Sequence, residues 1–160
     1  MKFETGQFEQ KGENRKKLLA LEKQGLYVFH GSPDVIEKLE PRQAFGKNKN
    51  TGEMEKDGAP AVFATPFADM AIFRALTNFA DMRGESSSSF GTDEKGEPQF
   101  FATNNLLDHA RGKVGRVYVF PKEKFGEPEG MQSRSSETVE PLQVIEVTVD
   151  DLPEGVKVIE

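Results

Sequence analysis

One stretch restricts the possible folds more than any other. Thr65-Pro66 is followed by Ala68, Ala71, Ile72, Ala75, Leu76 and Phe79, apolar at helical spacing. Threonine suits an N-cap and proline the first helical position, so the pattern predicts a helix opening at Thr65-Pro66. Phe73 lies off that apolar face and is left either to an edge contact or to a ligand. A shorter charged helix is expected over Glu13–Lys23, stopped by Gly25, and another over Asn105–Ala110. A single helical turn is expected within Asp34–Leu39 before Pro41.

The rest of the chain offers short strands separated by long loops. Strands are expected over Leu26–Phe29, Ala59–Thr65, Gln99–Thr103, Gly115–Pro121 and Thr138–Val149, with Val156–Ile159 as an edge. Residues 46–58, 82–98 and 122–136 are charged and glycine-containing and read as loops. Strands and helices do not alternate regularly, which implies an α+β fold rather than a doubly wound sheet. Residues 1–12 read as a polar arm, and 13–160 as one domain.

Composition removes several classes of function. The net charge of −6 argues against a general electrostatic grip on nucleic acid. Without cysteine there is no disulfide, thiolate zinc site or thiol nucleophile. His30 and His109 lack metal-ligand spacing, so no metal is expected. No apolar run has the length of a membrane span, and no signal peptide opens the chain, so a cytoplasmic protein is expected.

The chemistry-bearing candidate is His30-Gly31-Ser32-Pro33 at the end of the first expected strand. Alternation puts Leu26, Val28 and His30 on one face, Tyr27 and Phe29 on the other. Gly31 lets a ligand or a second backbone come close, and Ser32-Pro33 favours a turn. A partly exposed structural histidine is the simpler reading of this tetrapeptide taken alone.

Two further motifs change that balance. Val62-Phe-Ala-Thr-Pro66 leads into the long helix, and Ser135-Ser-Glu137 precedes the late strand. In this order, across roughly residues 26–149, they resemble the ADP-ribosyltransferase-like superfamily, in its histidine class. The resemblance implies split, curved β-sheets with one main helix and a short N-terminal helix, and a cleft that holds NAD as substrate. His30 would bond a ribose, the backbone of Gly31 would orient the nicotinamide amide, and Ser32 and Thr65 would flank them. The family's helix tyrosine, which stacks on nicotinamide, is missing here; Phe73 is the expected substitute.

Glu137, with Glu140 as competitor, would supply the negative charge that stabilises an oxocarbenium-like centre. Ser135 stands where arginine-modifying members carry a second glutamate, which leans away from arginine as acceptor. Arg42 and Arg134 are candidates for the phosphates. The implied activity is NAD-dependent ADP-ribosyl transfer to an unknown protein or nucleic-acid acceptor, or NAD hydrolysis. The alternative is a non-catalytic nucleotide- or protein-binding module on the same scaffold.

Overall fold

The computed structural model describes residues 12–43, 45–56 and 58–159, so most of the expected N-terminal arm lies outside the described residues. Helix α1 (Glu13–Gln24) ends at Gly25, whose φ of 73° is the left-handed conformation that glycine adopts without strain. Strand β1 (Tyr27–Ser32) follows. A hairpin, β2 (Phe45–Lys47) and β3 (Met54–Lys56), replaces most of the first expected loop. Strand β4 (Val62–Ala64) leads into α2 (Ala68–Thr77). Then come β5 (Ser88–Thr92), β6 (Pro98–Thr103), α3 (Asn104–Ala110) and β7 (Gly115–Pro121). Strands β8 (Ser133–Ser135), β9 (Gln143–Val147) and β10 (Lys157–Ile159) complete the order. The molecule is α+β, as the irregular order of elements predicts.

Four small sheets are present among the described residues. One has the order β1-β7-β9, all antiparallel, with His30 opposite Tyr118 and Gly31 opposite Val117. A second has the order β10-β6-β5, with β10 parallel to β6. The pair β4–β8 joins β1 through a single bridge between Phe29 and Thr65, whose two backbone hydrogen bonds are 2.7 and 2.8 Å. Beyond that bridge no further ladder joins β1 to β4 among the described residues, and His30 stands in the gap.

Helix α2 lies between the two larger sheets, which explains its composition. Ala71, Ile72, Ala75 and Leu76 pack with Phe29, Val117, Val119 and Val147 of the first sheet. Met70 and Phe73 pack with Phe100 and Ala102 of the second and with Leu106. A helix covered on two sides needs two apolar stripes, so the one-stripe expectation was too narrow. Apolar burial of this kind stabilises by roughly 25 cal/mol per Å² removed from water. A third cluster, including Val28, Val62, Tyr118 and Phe120, covers the other face of β1. Thus Phe29 and Val28 are both buried, on opposite faces of one strand.

The helix termini are secured from outside their own sequences. Thr65 is not the N-cap of α2: its Oγ1 accepts from the Phe67 N–H at 3.1 Å, making a turn, and the helix starts at Ala68. The Ala68 N–H instead donates to Glu22 Oε1 of α1 at 2.6 Å. Arg15 grips Asp69 in the first turn of α2 with two bonds of 2.8 and 2.9 Å. Asp151 performs the same service for α1, accepting from the Arg15 N–H at 3.1 Å. Burial pushes the Glu22 carboxyl up, partly offset by the bond from Ala68. Glu22→Ala should therefore lower stability by about 1 kcal/mol, the usual worth of a lost cap. Glu22→Gln keeps an oxygen acceptor and should lose less; chemical denaturation of the two variants checks the order.

Other expectations are corrected. Asp34–Leu39 forms no helical turn; it is an irregular segment with bends at Asp34 and Glu37 that reaches an isolated bridge between Leu39 and Val139. Ser88–Thr92, inside the second expected loop, pairs with β6; its serines, glycine and threonine around Phe90 give no apolar alternation by which the sequence would show a strand. The late strand begins at Gln143, not Thr138, since Pro141 cannot donate to a ladder.

Candidate functional site

A cavity of about 390 Å³ opens where β1, β4, β5 and α2 meet. His30, Gly31, Ser32 and Thr65 line it, so the structure brings together four of the residues singled out in the sequence. A second hollow of about 650 Å³ shares His30, Ser32, Asp34 and Phe63 with the first and adds Arg42. His30 therefore stands between two adjoining spaces.

The histidine is tightly oriented. Its Nδ1 lies 2.9 Å from the carbonyl oxygen of Phe63. A carbonyl only accepts, so Nδ1 carries the proton and donates. In the neutral ring Nε2 is then left as an acceptor. Burial lowers the His30 pKa below its ordinary 6.5; the Phe63 carbonyl opposes this, and the charges of Arg74 and Arg42 add to it. The group is thus a neutral imidazole near pH 7, able to accept a hydrogen bond from a hydroxyl.

The wall beside it is held by the neighbouring strand. Tyr118, fully buried, donates from its hydroxyl to the Asp34 carbonyl and accepts from the Ile36 N–H at 2.7 Å. Arg116 donates to the Pro33 carbonyl at 2.7 Å. Ser32 Oγ accepts from the Asp34 N–H at 3.1 Å. Ser32 and Thr65 both use an oxygen lone pair to shape a turn, which leaves each O–H as a donor.

Of the two partners that the sequence leaves open for Gly31, a ligand or a second backbone, the structure supplies the second. A Cβ there would stand 1.8 Å from the Ala71 carbonyl oxygen of α2. The close approach is therefore by the helix backbone, although Gly31 also lines the cavity. Gly115 meets the same helix a turn further along, where a Cβ would stand 2.5 Å from the Ala75 carbonyl oxygen.

Phe73 and Glu137 do not join this group. Phe73 is 1% exposed and packs on Phe100 with ring centroids 5.0 Å apart. It is a core residue and lines no part of the cavity. The helix residues that do line the cavity are Met70, Ala71 and Phe73's neighbour Arg74, with Asn78 just past the helix end. The signal was available: Arg74 is the one basic residue of an otherwise apolar helix that carries Asp69 as its acid.

Glu137 is exposed and lines a separate hollow with Ala59, Pro60 and Arg134. Strand pairing explains the separation. Ser133 lies opposite Ala64 and Ser135 opposite Val62, so β8 runs away from the Thr65 end of β4. The residues that reach the His30 cavity are Met131 and Gln132, before β8. Glu140 is exposed and does not line that cavity either. Arg134 stacks on the Phe63 ring at 5.1 Å from its side of the strand. Among the described residues, Asp34 is the sole carboxylate lining the cavity.

His109 belongs to a surface cluster, bonded to Asp81 at 2.9 Å beside Lys113. No group of metal-ligating side chains is assembled among the described residues, and no helix there is long and apolar enough to cross a membrane. Set against known family models, curated proteins and solved structures, the chain matches none of them.

Proposed function

We propose that the chain is a nucleotide-binding module that holds its ligand at His30, with NAD as the ligand that the motif order favours. The observation that carries this is the oriented neutral imidazole: Nδ1 is tied to Phe63, and Nε2 is an acceptor beside the donors Ser32 and Thr65. A ribose presents hydroxyls that match that set. The binding reading is preferred to a transferase because Glu137, the acid expected to stabilise the oxocarbenium-like centre as nicotinamide leaves, lines another hollow.

Calorimetry with NAD tests it. The wild-type chain should give a saturable isotherm, and His30→Ala should weaken it at least about tenfold, the worth of one well-placed hydrogen bond in a partly buried site. An isotherm unchanged by His30→Ala would remove the proposal. The pH dependence has a definite sign. His30 has a lowered pKa in the folded chain, so the stability it contributes is complete above 6.5 and is lost as pH falls through the lowered value. Protonation also turns Nε2 from acceptor to donor, so NAD affinity should be flat above 6.5 and decline as pH falls through the lowered value.

A second reading, NAD-consuming ADP-ribosyl transfer, is favoured by Asp34, which lines both hollows with His30. A carboxylate there would face the positive charge that develops as nicotinamide leaves. Nicotinamide release separates the readings. Release that is lost in Asp34→Asn and kept in Glu137→Gln supports transfer with Asp34 as the acid. A flat trace with NAD bound supports the binding module.

A further inference from the structure

We infer that Arg74, braced on Phe90, forms an anion-binding subsite in the His30 cavity and that the ligand carries a phosphate there. This rests on the reading of that cavity as a ligand site and adds the charge and position of one ligand group.

The guanidinium of Arg74 lies 5.0 Å from the centre of the Phe90 ring, and both residues line the cavity. Among the described residues no carboxylate comes within ion-pair distance of it. That is unusual for a half-buried arginine in an apolar helix, because burying an unpaired charge is unfavourable. Contrast Arg15, also half-buried, which holds Asp69 with two bonds. Burial lowers the Arg74 pKa, in keeping with a cation drawn out of water without a counter-ion.

The guanidinium carbon sits over the Phe90 ring, a cation–π contact that uses none of its N–H donors. Its planar fork suits the paired oxygens of a phosphate. Asn78, one helical turn from Arg74, and Gln132 line the same cavity and provide further amide donors. Asp34 is the only acid lining the space among the described residues, and it is exposed. His30, held neutral, contributes no competing charge. The cavity therefore has a polar end for hydroxyls at His30 and a cationic end at Arg74.

Titrations with adenosine, AMP and inorganic pyrophosphate, followed by calorimetry, test the subsite in wild type, Arg74→Gln and Arg74→Lys. AMP should bind the wild type about tenfold or more tightly than adenosine, since a charge-assisted bond is among the stronger polar contacts. Arg74→Gln should remove that advantage, so that AMP and adenosine bind this variant about equally. Arg74→Lys, which keeps the charge and the long stem, should retain some of it and lose steeply with added salt. Thermal melts show that the variants are folded. Equal binding of AMP and adenosine, or pyrophosphate binding that ignores Arg74→Gln, overturns the subsite. Failure of adenosine itself to bind would instead count against the cavity reading, and pyrophosphate would still report on Arg74 alone.

Discussion

Gly31→Ala should destabilise the protein by about 3 kcal/mol or more, the upper end of what overpacking a closed site costs. The added methyl would stand 1.8 Å from the Ala71 carbonyl oxygen, and that oxygen belongs to helix backbone rather than to a mobile side chain. Relief requires α2 to lift from β1. Lifting it would loosen the packing of Ala71, Ile72, Ala75 and Leu76 against Phe29 and Val117. Gly115→Ala should act in the same direction and less strongly, since its Cβ would meet Ala75 O at 2.5 Å. Urea denaturation measures both. The two sites press on one helix a turn apart, so the double variant should be less destabilised than the sum, because one displacement relieves both clashes. A Gly31→Ala protein as stable as wild type would show that α2 is not seated on the strands as described.

Phe73→Ala should cost about 3–5 kcal/mol, the range for emptying a buried aromatic site. The ring is fully enclosed between α2 and β6, against Phe100 and in the cluster that contains Leu106. The informative comparison uses the milder Phe73→Leu, which should stay folded while lowering the unfolding midpoint. NAD affinity measured on that folded variant should match wild type, because Phe73 does not line the cavity. A ligand that stacks on Phe73 would give the opposite pattern, with stability nearly kept and affinity lost. The paired measurements thus decide between a packing role and a stacking role for one side chain.

The elements that could be read directly are those with a strong local period or a definite stop signal. Helix α2 follows its alanine and leucine spacing, α1 ends at Gly25, and β7 runs from Gly115 to Pro121 as expected. What escaped depends on distant partners. Glu22 and Asp151 cap helices that they do not belong to, and no spacing rule links either to Ala68 or Arg15. Strand β5 is held by β6 despite its serines. The placement of His30 followed from alternation, because a strand that buries Phe29 on one face presents His30 on the other. Glu137 could not be placed in that way. Its distance from the cavity is set by the direction in which β8 pairs with β4, a choice made in three dimensions. Phe73 failed for a related reason: a helix buried twice makes its second stripe look unoccupied until the second sheet is known.

The lone bridge between Phe29 and Thr65 also has a bearing on motion. Two backbone bonds act there as a rivet between a three-stranded body and the smaller β4–β8 flap. The His30 bond to Phe63 and the cluster of Val28, Val62, Ala64 and Tyr118 fasten the same pair of strands to that body, so the rivet can open only together with core packing, and the wall beside His30 is correspondingly stiff.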